Sequence, residues 1–253
     1  MRFASLGSGS KGNASLIEVG DTLILLDSGF SVTQLQKRLA KFGKSAEDIS
    51  AVVVTHEHAD HLGGVPVLAR RFKMPVYMTP GTAKCDKIAG LPGVCLFNSH
   101  DAFEIGDVHV QPFPVPHDAR EPCQFVFGDG KRRLGILSDV GCWTPHIESQ
   151  LSACDALMLE ANHDVTMLAQ GPYPPSLKRR VRGDQGHLSN EQSAELLGRL
   201  DTSRLQHLVV THLSEQNNTP ELARRALSRQ IDCDESWIAV ACQNDGLDWR
   251  EIS

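Results

Sequence analysis

Apolar positions along this chain come mostly in short runs cut by glycine and polar pairs, which predicts more strands than helices. Asn13 to Val19 and Thr22 to Asp27 flank Gly20-Asp21, the pattern of a β-hairpin. Ser31 to Phe42 changes period: Ser31 can cap a helix, Leu35 and Leu39 share one face, and Gly43 ends it. Ala51 to Thr55 reads as a short buried strand. Leu62 to Phe72 reads as a helix with Gly64 and Pro66 near its start. Further strands are predicted at Val76–Thr79, within Phe103–Phe127 despite its prolines, and at Arg133–Ser138, Ala156–Glu160 and Leu205–Thr211. Helices are predicted over Ser189–Leu200, where Ser189 and Gln192 can form a capping box, and over Pro220–Gln230. Trp237 to Ile252 has β character around Asn244-Asp245-Gly246. Strands and single helices recur in both halves with no linker between them. The expectation is one α/β domain over residues 1–253, with sheets sandwiched between helices.

The first turn raises a question of chemistry. Gly7-Ser8-Gly9-Ser10-Lys11-Gly12 fits G-x-G-x-x-G, and Asp27 lies twenty residues past Gly7, as in a dinucleotide-binding fingerprint. That fingerprint requires a helix after the glycines. The nine residues between Gly12 and Thr22 end in a hairpin turn and cannot hold a crossover helix with its connections. The glycines are therefore expected to make a tight loop between strands, with no nicotinamide dinucleotide as ligand.

Composition narrows the classes. An apolar content of 41% supports a sizeable core, and no apolar run approaches the roughly 18 residues of a membrane span. The N-terminus lacks the apolar stretch of a signal peptide. Seven cysteines without a C-x-x-C pair argue for free thiols in a reducing cytoplasm. A net charge of -6 gives no global attraction for polyanions, so any such contact must be local.

The strongest chemical signal is Thr55-His56-Glu57-His58-Ala59-Asp60-His61-Leu62-Gly63-Gly64. It places His56, His58, Asp60 and His61 directly after an apolar strand. Strand ends are where α/β folds expose residues to a cleft. Four such short side chains could hardly all close around one ion at Zn–N distances near 2.0–2.1 Å, and two adjacent ions relieve the crowding. Partners stand at other strand ends: His117, Asp139 and His212 each follow a β run.

In order along the chain, Asp27, the 56–61 run with Gly63-Gly64, His117, Asp139 and His212 resemble the metallo-β-lactamase superfamily of binuclear hydrolases. Ser8 to Asn13, Glu160-Ala-Asn-His163-Asp164, Gly186-His-Leu-Ser-Asn190 and Thr211-His-Leu-Ser214 look like its YycJ/WalJ-type subgroup. The resemblance implies an αββα sandwich of two mixed β-sheets flanked by helices, holding two divalent ions, zinc or manganese. His56, His58 and His117 would hold one ion and Asp60, His61 and His212 the other. Asp139 would bridge them, and Asp27 would steady the ligand loop. It further implies a phosphodiesterase acting on nucleic acid, with DNA as the expected substrate and an exonuclease-like action. A hydroxide shared by the ions would attack phosphorus. His187, Glu160 and Asp60 are the expected catalytic residues, His187 as proton donor with Glu160 orienting it. Ser8, Ser10, Asn13 and His163 are expected at the substrate. Arg179, Arg180 and Arg182, in the Lys178-to-Arg182 segment, suit phosphate contacts.

Absences refine the picture. Only 21 residues separate His117 from Asp139, so the long arm of tRNA 3′-processing relatives is missing. The 72 residues between Asp139 and His212 leave no room for the large extra domain of some nuclease relatives. No cysteine takes a metal position; Cys123 and Cys142 read as packing thiols. The same ligand run also serves hydrolases of lactones, thioesters, lactams and cyclic phosphate diesters. A regulatory protein that kept the fold is the non-enzyme alternative, disfavoured by a complete ligand set. No membrane partner is expected, and an oligomer is compatible with the sequence.

Overall fold

The computed structural model describes residues 1–253, and its strands follow the apolar runs. The first six are β1 (Arg2–Gly7), β2 (Ala14–Val19), β3 (Thr22–Leu26), β4 (Ala51–Val53), β5 (Val76–Met78) and β6 (Val94–Leu96). They form one sheet in that order. The next seven build a second: β7 (Phe103–Ile105), β8 (Val108–Pro114), β9 (Cys123–Gly128), β10 (Arg133–Leu137), β11 (Ala156–Glu160), β12 (His207–Thr211) and β13 (Ala239–Val240). The last strand, β14 (Leu247–Glu251), returns to pair with β1. Both sheets are mixed. β3 to β6 run parallel, as do β10 to β13, while hairpin pairs such as β1–β2 and β8–β9 are antiparallel.

The helices are α1 (Val32–Lys41), α2 (Ala59–Leu62), α3 (Val65–Phe72), α4 (Pro145–Leu151), α5 (Val165–Gln170), α6 (Pro175–Val181), α7 (Asn190–Arg199) and α8 (Pro220–Ile231). None is long and apolar enough to cross a membrane. Side chains alternate across each strand, and the alternation sorts the interior into three layers. Leu16, Leu23 and Leu25 pack with Leu35 and Leu39 of α1 and Leu68 of α3. Ile17, Ile24 and Val53 point the other way and meet Val110, Phe125, Phe127 and Met158 of the second sheet. Leu157, Leu159 and Val210 turn outward to Ile147 of α4, Leu197 of α7 and Leu227 of α8. Each fully buried side chain of this kind contributes about 1.5–3 kcal/mol relative to exposure. The result is an αββα sandwich, as the resemblance implied.

Local details refine the periodic reading. The Leu62–Phe72 helix is broken: α2 ends at Leu62, α3 begins at Val65, and Gly63-Gly64 joins them. At Gly64 a Cβ would lie 1.9 Å from the Phe30 carbonyl oxygen, so only glycine lets the two backbones touch. After β1 the glycine segment leads, as expected, into β2, paired antiparallel with β1, and not into a helix. Gly9 takes φ 140°, and its N–H donates to Asn13 Oδ1 at 2.8 Å, closing the loop. Helices α4 to α6 were not predicted. For α4 the signals were present: Thr144 caps it, accepting from the Ile147 N–H, and Pro145 opens it.

Candidate metal centre and substrate cleft

The strand-end residues gather along one edge of the sandwich. His56 to His61 follow β4, His117 follows β8, Asp139 follows β10, His212 follows β12, and Glu160 closes β11. Asp27, directly after β3, has φ 60°; Asp139 and His212 have φ 54° and 50°. A non-glycine residue in this left-handed region costs on the order of 1–3 kcal/mol unless its surroundings hold it. They do so here. Thr55 donates its N–H and its hydroxyl to the two oxygens of Asp27, each at 2.9 Å. The backbone N–H of His212 donates to Ser8 Oγ at 2.8 Å.

The side chains fall into overlapping groups. Donor atoms of His56, His58 and His117 lie within 4.8 Å of one another, as do those of Asp60, His61 and His212. Asp139 joins His56 and His61 in a third group of that spacing, and Glu160, His187 and His212 in a fourth. Its Oδ2 is 3.2 Å from His61 Nε2 and its Oδ1 3.5 Å from His212 Nε2. His56 Nε2 and His212 Nε2 are buried without a hydrogen-bond partner. An unsatisfied buried group costs about 1–3 kcal/mol, and a cation placed among these donors would remove that cost. Imidazole and carboxylate together suit a divalent transition metal.

Charge supports the same reading. Burial pushes the His56 imidazole well below its ordinary pKa and His117 below it as well, leaving both neutral, the form that ligates. Burial also opposes ionisation of Asp139, but His212 and His61 outweigh it and hold the carboxyl well below the usual range. Against burial, Asp139 and the carboxylates around it raise His212 to about 10, and Asp139 and Asp27 raise His61 well above 6.5. The carboxylates that raise these two imidazoles form an electronegative cluster that a divalent cation would neutralise in place of those protons.

Outer contacts fix ring orientation. His61 Nδ1–H donates to Asp27 Oδ2 at 2.8 Å, leaving Nε2 toward Asp139. His117 Nδ1–H donates to the Gly186 carbonyl at 3.1 Å. Such partners set the tautomer of a ligating histidine. His187, in the loop before α7, donates Nδ1–H to Glu160 Oε1 at the end of β11, at 2.7 Å. Glu160 is fully buried, and His187 and His212 overcome that burial to keep its pKa low.

Beside the cluster opens a cleft of about 290 Å³, lined among others by Ser10, Asp60, Tyr173, Arg180, His187 and His212. Not every residue singled out from the sequence reaches it. Ser8 lies behind His212. Asn13 is tied into the glycine loop, its N–H donating to the Asp60 carbonyl at 2.7 Å and its Nδ2 lying 3.0 Å from His61 Nε2. His163, expected at the substrate, is 1% exposed and packs beside Ser189 in a backbone bridge. Of the basic segment, Arg180 lines the cleft, Arg179 opens to an adjoining surface depression, and Arg182 lines neither. Cys123 is buried, its Sγ 3.7 Å from the Thr55 carbonyl, and burial raises its thiol pKa. The sequence reading missed Asp118, whose carboxylate lies between His117 and Arg180. Its signal was an acid directly after a candidate ligand.

Residues 22–213 match the family described as Beta-lactamase superfamily domain. The chain is 35% identical over 236 residues to exodeoxyribonuclease YycJ of Bacillus anthracis, spanning 92% of this chain and 89% of that one. To exodeoxyribonuclease WalJ of Streptococcus pneumoniae it is 34% identical over 236 residues, 91% and 88% of the two chains. Among solved structures, the metallo-β-lactamase fold protein YhfI from Bacillus subtilis superposes over 98% of each chain, with TM-score 0.75 and 15% identity.

Proposed function

Because the chain belongs to the β-lactamase superfamily and groups with the YycJ and WalJ exodeoxyribonucleases, we infer that this metal-dependent nucleic-acid hydrolase cleaves the phosphodiester bonds of DNA. The observation that carries this reading is the pairing of two donor triplets around Asp139 with the His187–Glu160 pair on the same cleft. His56, His58 and His117 would hold one ion, Asp60, His61 and His212 a second, with Asp139 between them; zinc and manganese both suit the set. Bound there, such ions polarise a phosphodiester and make water nucleophilic near neutral pH. The chain's own groups do the rest. Asp27 and Thr55 hold His61 in one tautomer. Asp60, in the cleft wall, would accept a hydrogen bond from the attacking water and orient it. Glu160 fixes the His187 ring through Nδ1, so that Nε2 can donate a proton to the departing sugar oxygen.

The test joins stoichiometry to substrate. Metal-reconstituted protein should approach two ions per chain by elemental analysis and degrade single-stranded DNA. Asp60→Ala and His212→Ala should each lose an ion. One ion at saturation, unchanged by both variants, would overturn the binuclear assignment. Degradation of RNA but not DNA would overturn the substrate.

A further inference from the structure

One wall of the cleft is unused by the hydrolytic chemistry. Tyr173, in the turn before α6, and Leu177, Arg180 and Val181 of α6 line the cleft together with the candidate ligands. Arg180 Nε donates to Asp118 Oδ2 at 2.6 Å. Asp118 Oδ1 in turn lies 3.5 Å from His117 Nε2 and 3.9 Å from His58 Nε2. One carboxylate therefore ties the guanidinium to the ligand cluster. The side chain of Arg180 remains 60% exposed, and Nε is its only atom engaged by the protein. A guanidinium anchored through Nε, with both terminal amino groups free, is preorganised to grip a phosphate. Lys178, two residues earlier, is used differently: its Nζ donates to the Ala169 carbonyl at 2.7 Å.

Tyr173 is half-buried and is the one phenyl or indole ring in the cleft. With Leu177 and Val181 it makes an apolar face in otherwise polar surroundings. A cleft of about 290 Å³ lies at the bottom of the roughly 300–1,000 Å³ range of small-ligand pockets. That is room for about one nucleotide and not for a duplex.

We propose that this wall is a subsite for the terminal nucleotide of a single DNA strand, its base stacked on Tyr173 and its phosphate held by Arg180. The proposal rests on DNA being the substrate, and it makes a strand end, not a sequence, the feature recognised. A duplex end must fray before it can enter.

Metal-reconstituted wild type, Tyr173→Ala, Tyr173→Phe and Arg180→Ala are assayed on linear and circular single-stranded DNA and on bis(p-nitrophenyl) phosphate. Linear DNA should be degraded and circular DNA spared. Tyr173→Ala should raise KM on linear DNA about 5- to 150-fold, the worth of one stacked base, with a much smaller change in kcat. Tyr173→Phe, which keeps the stacking face, should restore KM. Arg180→Ala should weaken equilibrium binding of thymidine monophosphate; the 5′ or 3′ isomer, whichever the wild type binds tighter, identifies the end that enters. Circular DNA cut as fast as linear overturns the subsite. So does a Tyr173→Ala loss equal on DNA and on the small diester, or DNA kinetics unchanged in Tyr173→Ala and Arg180→Ala. Wild type that hydrolyses the small diester but no DNA overturns the DNA reading and the subsite with it.

Discussion

His187 and His212 stack at 5.0 Å with 14° between their ring planes, yet their surroundings differ, and the proposed reading gives them different work. His212 is buried, its backbone N–H donating to Ser8 Oγ and its ring Nε2 without a hydrogen-bond partner, as a metal ligand requires. His187 reaches the cleft with Nδ1 held by Glu160, the setting of a proton donor. His187→Ala should therefore keep its metal content and thermal stability. On DNA, whose sugar oxygen leaves poorly without a proton, it should lose about 10²–10⁴-fold in kcat. A nitrophenyl diester, whose leaving group is stable as an anion, should escape most of that loss. Equal losses would make His187 a phosphate-positioning residue instead. His163 carries a different consequence. Burial holds its pKa near 4, against about 6.5 for the free imidazole. The unfolded chain therefore binds a proton that the folded one refuses. Stability from this residue is full above pH 6.5 and is lost as pH falls toward 4, by up to about 3 kcal/mol. Urea unfolding at pH 7 and pH 4.5 should show a smaller fall in His163→Gln than in wild type. An identical fall would show that His163 is not held neutral.

Elements whose period and ends agreed were legible. The Ser189–Gln192 capping box frames α7, and the structure forms it. β11 lies at Ala156–Glu160, where the apolar run placed it. The donor positions could be found because histidine and aspartate directly after an apolar strand are conspicuous, and parallel strands bring their carboxyl ends to one edge. Helices α4 to α6 have six or seven residues, less than two turns and too few to show a period, so α4 was marked only by its Thr144-Pro145 start. Asp118 adjoins His117 in sequence, but its links to His58 and Arg180, from two other segments, appear only in the fold. The break at Gly63-Gly64 shows how a locally helical run yields to a close approach. Gly64 N–H donates to the Ser28 carbonyl at 2.7 Å, holding the segment after Asp27 against the ligand helix. Gly64→Ala must push these backbones apart. It should cost about 1–3 kcal/mol in urea unfolding and lower metal occupancy. Wild-type values of both would refute the contact as a constraint on the site.

At the scale of the molecule, ions that bind only the folded chain add to its stability by mass action, about 2.7 kcal/mol per site at a hundredfold excess over Kd. For a chain this long, 1 kcal/mol shifts Tm by roughly 2–4 °C. Chelation should therefore lower Tm by several degrees, and adding back zinc or manganese should restore it; a Tm indifferent to chelator would speak against a built metal centre. The donors that would gather these ions are divided between the sheets. His56, His58, Asp60 and His61 follow β4 of one, while His117, Asp139 and His212 follow strands of the other. The sandwich is thus a caliper with a donor row on each jaw. Its opening is gauged by the apolar layer between the sheets, so Phe125, a buried ring outside the donor set, helps set the distance between the two donor rows.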